Sequence, residues 1–150
     1  MSTLCIVTCG NKKIWSKDSA AGPTQARFAY TGSFAKKCME YAETFYPDSW
    51  CILSAKHGFV FPEDVIPENY NVTFLKPRTC PITIVELRDQ ANQKDFMSYS
   101  QIVVVPGKLY SQILERAMPG MEFIAPLNGC RGIGYMMGRL KSAIERGVPL

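Results

Sequence analysis

The sequence predicts an α/β fold: a three-layer α-β-α domain around a mainly parallel, four-stranded sheet. Three observations carry this. Short apolar, β-rich runs alternate with segments of helical period along the chain. One run, Ile102-Val103-Val104-Val105, is apolar on both faces, as a central parallel strand is. Four such strands alternating with helices imply βαβ units, right-handed crossovers and helices on both faces of the sheet.

Leu4-Cys5-Ile6-Val7-Thr8-Cys9 is the first strand. A polar loop follows from Gly10 to about Thr24, and Gln25 to Phe45 reads as helical. Within it Phe34, Cys38, Tyr41, Ala42 and Phe45 recur on one helical face. Gly32-Ser33 marks a point where this helix can divide in two. Trp50 to Leu53 is the second strand. Gly58 to Cys80 reads as irregular, with Pro62, Pro67 and Pro77 in it and short extended pieces expected at Asn71 to Phe74. A loop this long in a small domain is usually functional.

Thr83 opens the next helix, because Thr83 and Glu86 have the spacing of a capping box. That helix runs to about Phe96. Ile102 to Val105 is the third strand. Leu109 to Ala117 is a helix ended by Pro119-Gly120, and Glu122 to Ala125 is the fourth strand. Ile133 to Arg146 is the last helix, with Gly147 as its stop. No repeat or internal linker interrupts residues 1–150, which read as one α/β domain.

At 150 residues the chain is long enough to bury a real core, and its 47% hydrophobic and 20% charged content is that of a globular protein. No apolar run approaches the roughly 20 residues of a membrane helix. The amino terminus lacks the basic region of a signal peptide and enters a strand at once. A cytoplasmic protein with no membrane partner is therefore expected. The six cysteines are expected as reduced thiols: Cys5 and Cys51 lie in apolar strands and Cys38 on a helix face. No CxxC pair is present, so no structural zinc site is expected; convergence of Cys9, Cys130 and His57 on a metal is the lesser alternative to a metal-free site, and no motif names a cofactor. The net charge of +4 permits an anionic partner without demanding one. Oligomeric state is left open.

In open parallel sheets, ligands bind outside the carboxyl ends of the strands. That rule selects four segments. They are Cys9-Gly10-Asn11-Lys12-Lys13, Ser54-Ala55-Lys56-His57-Gly58, Pro106-Gly107-Lys108-Leu109-Tyr110, and Asn128-Gly129-Cys130-Arg131-Gly132-Ile133-Gly134. Each carries glycine, which lets backbone amides approach a ligand, and each carries Lys or Arg. Four such loops on one edge point to a phosphate-bearing ligand. None matches a P-loop, and no GxGxxG follows the first strand, so neither a P-loop NTPase nor a Rossmann dinucleotide site is expected.

His57 is the only histidine, and its side chain titrates nearest physiological pH. It is the first candidate for acid–base work. Ser54 and Lys56 would contact the reacting group beside it. Lys12, Lys13 and Arg131 would hold phosphate, with Gly10, Asn11, Gly107, Asn128 and Gly129 supplying backbone and amide contacts. Cys9 has two readings: a nucleophile whose pKa is lowered by nearby lysines, or a small buried residue at a strand end. Asp64 and Tyr70 could orient a ligand. Tyr30 reaches the site or belongs to the core.

The set Cys9 to Lys13, Tyr30-Thr31-Gly32-Ser33-Phe34, and Leu53 to Gly58 with Pro62 and Tyr70 resembles a family of small uncharacterised α/β proteins. That family carries a C-x-x-K loop and an S-A-K-H-G motif. More distantly, Leu53 to Gly58 and Pro67 to Tyr70 are similar to the YaaA peroxide-stress proteins, with His57 where those have an aromatic. Cys9 to Lys13 and Ser54 to His57 also fit spacings in the core domain of archaeosine synthase. Ile14-Trp15 stand where that family has Pro-Tyr after its lysine. These resemblances imply processing of nucleotides or nucleic-acid bases. The expected function is thus an enzyme acting on a nucleotide, modified base or nucleic acid. The rivals are a non-catalytic nucleic-acid-binding module and a small-metabolite sensor.

Overall fold

Alternation along the strands decides the architecture. The structure, a computed structural model, describes residues 2–105 and 107–150. In chain order its elements are β1 (Thr3–Thr8), β2 (Thr24–Gln25), α1 (Ala26–Ala29), α2 (Ser33–Phe45), β3 (Trp50–Ser54), β4 (Gly58–Val60) and β5 (Val65–Ile66). They continue with α3 (Ile84–Gln93), β6 (Gln101–Val105), α4 (Lys108–Ala117), β7 (Glu122–Ile124) and α5 (Ile133–Arg146). Cys5, Val7, Trp50, Ile52, Val103 and Val105 face one side of the sheet, where they pack with Cys38, Met39 and Ala42 of α2 and Leu140 and Ala143 of α5. Leu4, Ile6, Cys51, Leu53, Ile102 and Val104 face the other side, against Leu87 and Ala91 of α3 and Leu114 and Ala117 of α4. Period-two alternation on strands buried on both faces gives two cores and three layers.

The main sheet has the order β4-β3-β1-β6-β7. Its β3-β1-β6-β7 portion is parallel, and β4 pairs antiparallel with β3. The sheet therefore has five strands rather than the expected four. The added strand lies in the stretch read as irregular, because its three residues are too few to show a period. Its glycine also carries a turn signal. Gly58 has φ of +76°, a left-handed conformation that glycine adopts without strain. The chain can thus fold back after Ser54-Ala55-Lys56-His57, pairing Leu53 with Phe59 and Ile52 with Val60. The segment Ser54 to Gly58 is a hairpin turn, not the strand-to-helix loop that the sequence pattern implied.

Other boundaries shift for local reasons. The long helix divides at Tyr30 to Gly32, where Tyr30 is extended and bridges Lys13. Thr83 and Glu86 form the expected capping box at the start of α3. That helix ends at Gln93, and Phe96–Ser98 is a separate short turn after the left-handed Asp95. Asn71 to Phe74 is not a strand; instead β2 and β5 make a small antiparallel ribbon. No helix among the described residues is long and apolar enough to cross a membrane.

Candidate functional site

The carboxyl ends of β1 and β3 lie side by side, with Thr8 in register with Leu53. Each strand delivers polar side chains where its apolar pattern stops. After β1, Gly10 takes φ of +68°, and a β-carbon there would press on Ala35. This turn brings Lys13 back into the protein, where it is 6% exposed. After β3, Ser54 is fully buried. Its Oγ accepts hydrogen bonds from the amides of Lys56 (3.3 Å) and His57 (3.1 Å) and so caps the hairpin turn.

Tyr70 joins these pieces. Its hydroxyl lies 2.7 Å from Ser54 Oγ and 2.6 Å from the Tyr30 hydroxyl. Two amides occupy the lone pairs of Ser54, so the Ser54 proton is directed to Tyr70. Tyr30, Ser54 and Tyr70 thus form a buried hydroxyl chain. The Lys13 ammonium stands 4.4 Å from the centre of the Tyr70 ring and donates to the Asn11 carbonyl at 3.2 Å, a cation–π contact supported by a hydrogen bond. Lys56 Nζ lies 5.7 Å from the same ring centre. The His57 ring meets Tyr70 edge-on at 5.1 Å.

Burial sets the electrostatics. It pushes the Cys9 thiol up, while Lys13, the backbone at Ala55 and the Tyr70 hydroxyl pull it partly back down. The expected lowering of the Cys9 pKa by neighbouring lysines is therefore corrected: Lys13 acts in that direction, and the loss of solvent outweighs it. Lys13 is lowered, first by burial, with Cys9 opposing. Thiol and amine both move toward their uncharged forms. The Tyr30 phenol is raised to about 12 by burial, and Tyr70 is raised well beyond the ordinary range for the same reason. His57 is lowered by burial and then by Lys56. Its Nε2 is buried without a hydrogen-bond partner.

The structure thus gathers Cys9, Lys13, Tyr30, Ser54, Lys56, His57 and Tyr70 around one ring. Lys13 is an interior cation rather than a surface one. Gly10 shapes the turn. Asn11 contributes its carbonyl, and Lys12 is exposed at the rim, its own carbonyl accepting from the Thr31 amide. Asp64 is used elsewhere: its carboxylate accepts from the Phe61 amide at 2.8 Å in a turn, and its carbonyl accepts from Ala26. Asn128, Gly129 and Arg131 are exposed on the loop after β7 and make no side-chain hydrogen bond to this cluster. Gly107, partly buried, precedes α4.

Thr8 and Gln90 were not anticipated, and Tyr110 was given no role within the segment that contains it. The Tyr110 phenol is raised by burial, eased down by the neighbouring Thr8 hydroxyl and pushed up by Cys9. Tyr110 stands in the first turn of a helix directly after a strand, a position that could have singled it out. Gln90 reaches across from α3, donating to the His57 carbonyl at 3.0 Å and accepting from the Phe59 amide at 2.8 Å. No local sequence signal connects Gln90 to a hairpin about thirty residues earlier. Among the described residues, no group of three or more His, Cys, Asp or Glu side chains is placed to hold a metal ion.

Fold and site define a small α/β protein with a mostly parallel sheet and a buried polar cluster at its carboxyl edge. The chain matches the family described as "Family of unknown function (DUF6884)" over residues 4–142, and it belongs to that family. It is similar to the "Uncharacterized protein YfjM" of Bacillus subtilis (strain 168). The two are 42% identical over 146 residues, which span 97% of each chain. No solved structure matches it.

Proposed function

We propose that the protein is an enzyme acting on a nucleotide, modified base or nucleic acid, with the cluster around Tyr70 as its reacting centre. The observation that carries this is the enclosure of Lys13, Cys9 and three linked hydroxyls in one buried group at the carboxyl edge. A surface that only tracks a phosphate backbone needs exposed cations. It does not need a buried lysine near a thiol and a proton-carrying chain. Burying such groups is costly unless they are paired, and tuned groups of this kind cluster where chemistry is done.

In this reading Lys13, nearer its neutral form than a surface lysine, acts as base or nucleophile. Tyr70 passes protons along the hydroxyl chain. His57 acts as a neutral acceptor through Nε2. Exposed Lys12, Lys56 and Arg131 supply cations for phosphate at the rim. The similarity of Leu53 to Gly58 to the YaaA motif, and of Cys9 to Lys13 to the archaeosine synthase spacing, supports a nucleotide or base as the substrate.

A thermal-shift screen of nucleotides, nucleosides and short oligonucleotides tests this on wild type, His57→Ala and Lys13→Met. The expected result is stabilisation of wild type by a mononucleotide or nucleoside, weakened in both variants. Oligonucleotide binding that is equal in all three proteins, with no response to small ligands, favours the binding module instead.

A further inference from the structure

The segment from Tyr70 to Ile82 crosses the carboxyl edge as a strap. At its start Tyr70 is bonded to Ser54 and Tyr30. In its middle the Phe74 ring packs on Tyr110 at 6.3 Å. At its end the Ile82 amide donates to the Ala55 carbonyl at 2.7 Å. Every anchor is a residue of the cluster, of the adjoining hairpin turn, or of the first turn of α4.

The strap also has internal order. The Thr79 hydroxyl accepts from the Thr73 amide at 3.0 Å and lies 3.1 Å from the Thr73 carbonyl and 2.7 Å from that of Lys76. The Leu75 amide donates to Thr73 Oγ1 at 3.2 Å. A loop that satisfies its own backbone presents its side chains in a fixed arrangement, which lowers the entropy cost of binding. Leu75, Lys76, Pro77, Arg78 and Thr79 line a cavity of about 660 Å³. That volume lies within the range of roughly 300–1,000 Å³ typical of small-molecule sites. Among the described residues, neither Lys76 nor Arg78 makes an ion pair or a side-chain hydrogen bond, and both are exposed.

We propose that this cavity holds the phosphate of a mononucleotide-sized ligand, gripped by Lys76 and Arg78, with the rest of the ligand directed toward the Tyr70 cluster. The inference rests on the reading of that cluster as a nucleotide- or base-acting centre, and it narrows the substrate to a phosphate monoester of small size. Arg78 offers a fork of donors matched to phosphate oxygens, and Lys76 a point charge. Leu75 and Pro77 give the cavity an apolar wall, which a free phosphate ion has no use for and a nucleoside does. Lys12, Lys56 and Arg131 become secondary rim charges.

The test is calorimetric titration of the whole protein with AMP, GMP, CMP and UMP, with inorganic phosphate and adenosine as fragments, and with a single-stranded decanucleotide. It uses wild type, the double variant Lys76→Ala/Arg78→Ala, and Lys141→Ala/Arg146→Ala as a variant of equal charge loss on exposed positions of α5. Circular dichroism verifies that all three fold. The expected result is that at least one mononucleotide binds wild type and the α5 variant alike and loses tenfold or more in affinity in the strap variant. Inorganic phosphate and adenosine should each bind more weakly than that mononucleotide. Mononucleotide affinity within twofold of wild type in the strap variant overturns the assignment to the strap while leaving the nucleotide reading in place. Binding of the decanucleotide alone overturns the narrowing to small phosphate esters. Binding of no nucleotide, nucleoside or oligonucleotide to wild type overturns both.

Discussion

Replacing Tyr70 by Phe removes one oxygen from the centre of the site and nothing else. That oxygen holds hydrogen bonds of 2.7 Å to Ser54 and 2.6 Å to Tyr30. The ring stays, so the contacts with Lys13 and His57 remain. Each lost bond is worth about 1 kcal/mol net, and stranding a buried hydroxyl adds about 1–3 kcal/mol. Ser54 keeps its two amide donors but loses the acceptor of its own proton, so Ser54 and Tyr30 share the second cost. The expected destabilisation is about 3–5 kcal/mol, equivalent to a melting point lower by roughly 6–20 °C in a domain of this size. Urea unfolding monitored by circular dichroism measures it. Tyr30→Phe breaks only the outer bond and should cost about half as much, and the double variant should be clearly non-additive. A loss below about 0.5 kcal/mol for Tyr70→Phe would show that the hydroxyl chain does not bridge the strands and the strap, and the site's architecture would have to be redrawn.

Further outcomes follow from the same geometry. Because His57 is the only histidine, its NMR titration is unambiguous. Its pKa should lie below the ordinary 6.5, and its contribution to stability should be present above that value and lost as pH falls through the folded pKa; a midpoint at or above 6.5 refutes the burial argument. The Tyr30 phenol, pushed up to about 12, is neutral in the folded chain when an unfolded phenol ionises near 10. Stability should therefore decline between about pH 10 and 12, by about 3 kcal/mol from this residue. Absorbance at alkaline pH should show tyrosine ionisation coinciding with unfolding, and full ionisation of a folded protein contradicts it. Exposed Cys80 should react first with a thiol reagent, while Cys9 and the other buried thiols react only on unfolding; rapid labelling of Cys9 at neutral pH would restore the activated-nucleophile reading. Gly58→Ala places a methyl group against Gln90 at a positive φ. It should break both hydrogen bonds that Gln90 makes to the hairpin and cost at least about 2 kcal/mol by thermal unfolding.

The architecture was legible where physics is local. The last helix starts and stops where apolar period and Gly147 place it, and Thr83 with Glu86 marks its helix correctly, because capping is decided within one turn. The strand β4 was not legible, since its pairing depends on a left-handed glycine and on Gln90, which reaches it from a distant helix. Much of the candidate site followed from one rule about strand ends. That rule selected Cys9, Lys13, Ser54 and His57 but could not tell a solvated lysine from a buried one. Lys12 and Lys13 are adjacent and chemically alike, yet the turn at Gly10 leaves one outside and draws the other under Tyr70. The central position of Tyr70 depends on the path of the strap, which has no period to read. Asp64 looked equally apt as a ligand-orienting group, but a neighbouring amide already occupies its carboxylate.

The proposed site joins the cluster around Tyr70 and the strap from Tyr70 to Ile82 in binding one phosphate-bearing small molecule. Titrating isotope-labelled protein with mononucleotides, and following backbone amide shifts residue by residue, tests it most directly. Saturable shifts concentrated at Cys9 to Lys13, Ser54 to His57 and Tyr70 to Thr79 are expected. Shifts confined to α5 or to the surface around Arg27, or no shifts at millimolar nucleotide, would contradict it.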